Sequence, residues 1–380
     1  MKTAAIICEY NPFHNGHKYH IGQTKKLCGA DAVVAVMSGN FVQRGDAAIF
    51  EKTARANAAI MGGADLVLEL PTVFAMQSAE FFAKHSVFIL DSLGCIDFLS
   101  FGAETENIDA LINIANILAD EPKEFSENLK QKISLGIPFP IARQEALHEI
   151  MGIDAEMISE PNNILAVEYL KALKNLNSKI KPIAIKRTGC SHDSDATSDG
   201  FASASHIRTL LLSGKDDDAY SLMPPFAEEI FKSENKHSAK AMEKAIIGEI
   251  LKMPIEKFTK ISDVSEGIEN RIKDKASSCS SLASLADAVK TKRYTHSRIR
   301  RILLSAYLGI TNEDRNQTAP YVKILAHNET GQRLIREMKK TASLPLVRNT
   351  SQVNKLNSQT AKAFWERERI FDKLYEMMNL

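Results

Sequence analysis

Five short apolar runs punctuate the first half of the chain: "TAAIIC" (3–8), "DAVVAVM" (31–37), "DLVLEL" (65–70), "IDFLSFG" (96–102) and "IKPIAIK" (180–186). Each has the length and branched composition of a buried strand. The stretches between the first four have helical periodicity and end on glycine. One runs from about His17 to Gly29, one covers 51–63 and closes on Gly62 and Gly63, and one ends at Gly94. Residues 107–178 read as several helices inserted between strands, and "SASHIRTLLLSG" (203–214) opens on serine, a helix-capping type. Strand and helix alternating in this way predict a Rossmann-like parallel sheet covered by helices, an α/β fold. "SGKDDDAYSLMPP" (213–225) marks a boundary. Beyond it strand signals vanish and helical periodicity dominates, with loops at 349–359 and near Pro320. The expected division is therefore an α/β domain over 1–222 and a mostly α-helical domain over 223–380.

Composition narrows this only slightly. Hydrophobic residues make up 44% of the 380 and charged residues 25%, ordinary for a globular protein with a sizeable core. No apolar run is long enough to span a bilayer, and the first one stops at Glu9, too early for a secretory signal. Five scattered cysteines without a C-x-x-C pair favour free thiols in a reducing cytoplasm over a disulfide framework or a zinc site. The net charge of +1 hides an asymmetry. Residues 1–220 carry 20 Lys and Arg against 28 Asp and Glu, a net −8, whereas residues 221–380 carry 28 against 19, a net +9. A basic half joined to an acidic half makes the basic one a candidate for binding a polyanion; domain docking is the alternative.

The sharpest chemical signal is "NPFHNGH" (11–17), where the first strand gives way to the first helix. Pro12 shapes the entry, and Gly16 lets a ligand approach the backbone. Helix-terminal N–H groups attract anions there. His14 and His17 are placed to donate hydrogen bonds to a polyphosphate as charge grows on a departing oxygen. "SGNFVQRGD" (38–46) ends the second strand at the same edge of the sheet. Arg44 there is a candidate for phosphate or incoming substrate, and Asp46 for holding Arg44 or a metal-bound water; a structural turn built on Gly39 and Gly45 is the alternative. Glu69, before Pro71, is either a site residue or a helix cap. "SHDSD" (191–195) has no spacing that matches a metal site, so no metal ligand is assigned. "TKRYTHSRIRR" (291–301) contains five basic residues and no acidic one. On a helix, Arg298 and Arg301 share a basic face while Ile302, Leu303 and Leu304 supply the buried stripe. That face, with Arg293 in reserve and "REMKK" (336–340) as a possible extension, is suited to RNA phosphates or is simply solvated.

"HNGH" after a hydrophobic strand resembles the H-x-G-H signature of the nucleotidyltransferase superfamily, shared with class I aminoacyl-tRNA synthetases. "SASHIR" (203–208) resembles the superfamily's second element, implying Ser203, Ser205 and Arg208 as triphosphate ligands. A Lys-Met-Ser-Lys-Ser loop is absent, which argues against a synthetase. Five longer stretches resemble one family closely: "EYNPFHNGHKYHI", the segment from Met37 to Pro71, "LSFGAE", "EPNNILAVEYLKAL" and "TKRYTHSRIRRILL". It is the bacterial tRNA(Met) cytidine acetate ligase family. The resemblance spans nearly the whole chain and implies an enzyme that activates acetate with ATP, expected with Mg2+, to acetyl-adenylate. The acetyl group then passes to the N4 amine of the wobble cytidine in the anticodon loop of elongator methionine tRNA.

By the same resemblance the ATP site comprises the first turn, from Ile7, Cys8, Glu9, Tyr10, Asn11, Pro12 and Phe13 through His14, Asn15, Gly16, His17, Lys18, Tyr19 and His20. It also includes Gly102, Asn162 and Arg187. "RTGCSHDSD" departs from the family's usual run after Arg187. Acetate is already ionised near neutrality and needs no general base to attack phosphorus. Two readings remain beside this one: a nucleotidyltransferase joining a nucleoside monophosphate to a small phosphorylated metabolite, and an RNA-binding module without catalysis. The first has no use for a basic helical half, and the second none for both histidines with Ser203 and Arg208.

Overall fold

The structure is a computed structural model that describes residues 1–187 and 202–380. Its centre is a seven-stranded sheet of β1 (Thr3–Cys8), β2 (Ala32–Ser38), β5 (Leu66–Leu70), β6 (Phe98–Ala103), β7 (Lys181–Lys186), β8 (Val322–His327) and β9 (Leu346–Val347). The spatial order is β7-β6-β1-β2-β5-β8-β9. A small hairpin of β3 (Phe41–Val42) and β4 (Asp46–Ala47) stands apart from it. β7 through β5 run parallel, and every residue of β2 and β5 is buried, as strands covered on both faces must be. The chain steps from β1 outward through β2 and β5, then returns to lay β6 on the other side of β1. This reversal opens a crevice at the carboxyl ends of β1 and β6, where open α/β sheets bind ligands.

Alternate residues of each strand face opposite layers. Ala4, Ile6, Val33, Ala35, Met37 and Val67 pack with α1 (Asn15–Cys28) and α2 (Lys52–Met61). Ala5, Val34, Val36, Leu66 and Leu68 pack with α3 (Ala79–Ser92), α4 (Ile108–Asp120) and α5 (Pro161–Asn175). α6 (Ala204–Leu212) joins the first layer through Ile207 and Leu211. α1 ends on Gly29, whose φ of 54° is the left-handed conformation that favours glycine there. The inserted helices between β6 and β7 lie where the periodicity put them.

The region after residue 223 is mostly helical, with α7 (His296–Leu308), α8 (Glu329–Thr341) and α9 (Gln359–Glu376) among its elements. One expectation for it needs correction: it is not without strands. β8 pairs antiparallel with β5, and β9 pairs parallel with β8, so the late chain completes the early sheet. The apolar residues of α7 and α9, including Ile302, Leu303 and Phe371, are continuous with the core on the β5 face. On the other face Phe231 stacks on Phe50, ring centroids 4.4 Å apart and nearly parallel. Among the described residues, no helix is long and apolar enough to cross a membrane.

Candidate active site

The first turn is locked by its own side chains. His14 is the N-cap of α1, and its Nδ1 accepts the Gly16 N–H at 3.1 Å. His17 sits three residues on, and its Nδ1 accepts the His14 N–H at 3.3 Å. The two rings lie 3.8 Å apart in this reciprocal capping box. An imidazole that accepts at Nδ1 carries its proton on Nε2. Capping therefore fixes both tautomers, with the proton of each ring on Nε2.

Below the turn, Tyr10 adopts φ 47°, and Phe13 is fully buried against Tyr10 and Phe226. The cradle is then tied to its neighbours through the main chain. The Asn11 side-chain oxygen accepts Ile49 N–H at 2.8 Å, and the Arg208 guanidinium donates to the Asn11 carbonyl at 2.7 Å. Glu9 accepts Gln43 N–H at 2.7 Å. Arg55, fully buried on α2, donates to the carbonyls of Glu9 (2.5 Å), Phe50 (2.9 Å), Ser38 (3.2 Å) and Gly39. It gathers the carboxyl ends of β1 and β2 into one rim.

A cavity of about 340 Å³ opens at the crevice. The expected residues that line it are Ile7, Cys8, Glu9, Tyr10, Asn11, His14, Gly16, His17, Tyr19, His20, Arg44, Gly102, Asn162, Arg187, Ser203 and Arg208. Pro12, Phe13, Asn15, Lys18 and Ser205 do not line it; Phe13 is core, and Lys18 lies over the Phe226 ring. Ser203 caps α6 by accepting His206 N–H at 3.1 Å, so the "SASHIR" element presents a helix start to the cavity. Asn162 stands at the start of α5, where the Glu104 carboxylate accepts Asn162 N–H at 3.2 Å and Asn163 N–H at 2.8 Å. Arg187 reaches the Asn162 side chain at 3.5 Å and covers Gly102, where a Cβ would press on its Cγ at 3.3 Å. His20 is held neutral: burial, and then the Arg187 charge, push its pKa down to about 4. Burial also raises the Cys8 thiol, despite Tyr10 and Arg55 nearby, so it is no thiolate nucleophile.

Sequence reading missed the apolar wall of Ala79, Phe82, Phe101, Leu165 and Tyr169. Their helical and strand periodicity marked them only as core. It missed Arg55 as well, whose partners are main-chain carbonyls without a sequence signature.

Several expectations are corrected. Asp46 does not line the cavity; its half-buried carboxylate accepts Ala47 N–H at 2.8 Å and Ala239 N–H at 3.2 Å. Glu69 is not a helix cap. It accepts Lys52 Nζ at 2.8 Å and Lys323 Nζ at 2.6 Å in a buried ion cluster that also includes Asp372. Arg298 and Arg301 do not form an open face. Arg298 pairs with Glu266 at 3.1 Å and Ser265 at 2.6 Å, and Arg301 with Asp263 at 2.5 Å. Arg293 is exposed, as are Arg336, Lys339 and Lys340. The 191–195 stretch lies outside the described residues, and among those described no group of three or more His, Cys, Asp or Glu is arranged to hold a metal.

The profile of the family described as HIGH Nucleotidyl Transferase matches residues 1–379. A tRNA(Met) cytidine acetate ligase of Acetivibrio thermocellus is 38% identical over 99% of this chain and 95% of its own length. One from Clostridium acetobutylicum is 40% identical over 93% and 92%. The chain belongs to the tRNA(Met) cytidine acetate ligase family. Two crystal structures of Thermotoga maritima TmcAL agree with that placement across the whole fold. The apo form matches with a TM-score of 0.95 at 31% identity, covering 100% of this chain and 96% of that one. The form bound with alpha-thio ATP matches with a TM-score of 0.92 at 32% identity, covering 100% and 95%.

Proposed function

We propose that this protein uses ATP to activate acetate and acetylates the N4 amine of the wobble cytidine of elongator tRNA(Met). The observation that supports it best is the cavity itself. Two tautomer-fixed histidines, a helix start at Ser203 and the Arg208 guanidinium converge on one crevice of nucleotide size. In the first step an acetate oxygen attacks the α-phosphorus, and the bond to the bridging oxygen breaks. Pyrophosphate leaves with that electron pair. Donors preset by folding stabilise the charge it gains without reorganising. His14 and His17 fill that role through Nε2–H, with Arg208 and Ser203 on the outer phosphates. Mg2+ would arrive on ATP's own phosphate oxygens and neutralise part of their charge.

In the second step the cytidine N4 attacks the acyl carbon, AMP leaves, and N4 loses a proton. A base presented this way must be unstacked, as an anticodon loop allows. We assign activation to residues 1–222 and RNA binding mainly to residues 223–380, where the positive charge is concentrated and Arg293 is exposed. Incubation with ATP, radiolabelled acetate and total bacterial tRNA, each omitted in turn, tests the proposal. Label should enter RNA only when all three are present and should digest to N4-acetylcytidine. No incorporation, or incorporation without ATP, would overturn it.

A further inference from the structure

α7 holds three arginines within four residues, and the fold treats them differently. Arg298 and Arg301 are tied to the 263–266 loop by Glu266 and Asp263. Arg300, between them, is exposed and has neither an ion pair nor a side-chain hydrogen bond among the described residues. Its position is set by Gly45 at the tip of the β3–β4 hairpin. Gly45 has φ 75°, and a Cβ there would fall 2.6 Å from the Arg300 carbonyl carbon. The α7 backbone thus lies directly on the hairpin whose preceding residue, Arg44, lines the cavity.

The electrostatics run the same way. Arg208, held below its ordinary value chiefly by burial, is lowered further by Arg44 and Arg300, and Arg300 also acts on Asp46. Arg44 and Arg300 therefore both lie close enough to act on Arg208, with Glu9 and Asp46 opposing them there. Like charges brought together repel, and such an array favours an anion between them. Inside the cavity His14, His17, Ser203 and Arg208 are the groups assigned above to the nucleotide. Arg300 does not line that interior; its backbone lies on the hairpin whose Arg44 does.

We propose that Arg300 binds a backbone phosphate of the RNA acceptor at the mouth of the cavity and so positions the reacting base. This rests on the tRNA-acetylating reading above. The full-length Arg300→Ala variant should keep wild-type kcat and KM for ATP in acetate-dependent pyrophosphate exchange. Its KM for tRNA should rise about fivefold, as expected for one lost ion pair. The log–log salt slope of tRNA binding should shrink by about 0.7–0.9. Arg300→Lys, which keeps a point charge, should recover most of the loss. A raised KM for ATP with unchanged tRNA binding would assign Arg300 to the triphosphate and overturn the proposal. No change in either would show a merely solvated side chain, and overturn it equally. The functional reading is judged separately, on the wild type: exchange without tRNA acetylation there would sink that reading before any variant is compared.

Discussion

At the residue scale, His14 has two jobs in one ring. Nδ1 caps α1, and the ring lines the cavity, where Nε2–H is the proposed phosphate donor. The jobs can be separated, because asparagine caps a helix well and cannot supply the imidazole donor. His14→Asn should melt within a few degrees of wild type yet lose about 10²–10³ in the rate of acetate-dependent pyrophosphate exchange. His14→Ala should lose the same rate and also about 1 kcal/mol of stability from the missing cap. Paired thermal melts and exchange assays check this; full exchange activity in His14→Asn would remove His14 from the chemistry. The spacing "HNGH" at a strand-to-helix junction made these residues legible, because the function sits in local backbone geometry. Arg298 and Arg301 were misread for the opposite reason. A helix can be seen to have a basic face, but the carboxylates that consume it, Asp263 and Glu266, belong to a loop placed only by tertiary packing.

At the scale of elements, β8 shows what periodicity could not deliver. "VKILAH" has only six residues, and its partner β5 lies over 250 residues earlier, with a register shift between Val67 and Leu68. Nothing local demands a strand there. What secures it is a buried ion cluster between early and late chain. Lys52 Nζ donates to Glu69 at 2.8 Å and to Asp372 at 2.6 Å, and Lys323 on β8 reaches Glu69 at 2.6 Å. Although burial opposes it, Lys323 and Lys52 hold the Glu69 carboxyl down at about 2. Glu368 on α9 differs: it accepts Thr72 N–H at 2.9 Å, but burial and then the Glu69 charge push its pKa up to about 7. A carboxyl whose folded pKa exceeds its unfolded one binds its proton more tightly when folded. Stability is then lost as pH rises from the unfolded value through 7. Glu368→Gln keeps an oxygen for Thr72 and removes the ionisation. It should stabilise the protein by up to ~3 kcal/mol at pH 8 and by little at pH 4.5. Urea unfolding of both proteins at the two pH values measures the difference; equal shifts at both would mean that Glu368 is not protonated in the fold.

At the scale of the whole molecule, the two halves have different charges and different proposed tasks, yet they share a sheet, and the late chain packs on the hairpin that carries Arg44. The hairpin that carries Arg44, tied to the first turn through Glu9 and Asn11, is gripped from the late chain as well. Gly45 lies on the α7 backbone, Asp46 accepts Ala239 N–H, Ile49 accepts His237 N–H at 2.9 Å, and Ala48 accepts the Tyr375 hydroxyl at 2.9 Å. A chain ending at residue 222 would leave β5 as a bare edge of unpaired N–H and C=O groups, open to pairing with other molecules. It would also strip Lys323 from Glu69 and Asp372 from Lys52, and removing a partner from a buried pair typically costs about 3–5 kcal/mol. That is a large share of the net stability of an ordinary domain. Residues 1–222 alone are therefore expected to aggregate or to populate an expanded state, with no acetate-dependent pyrophosphate exchange, even though every proposed phosphate ligand is present. Size-exclusion chromatography, thermal melting and the exchange assay on the purified fragment decide the matter. A monomer that melts cooperatively and exchanges at the full-length rate would show that activation is a property of the first half alone, with the late strands and α9 serving only the RNA.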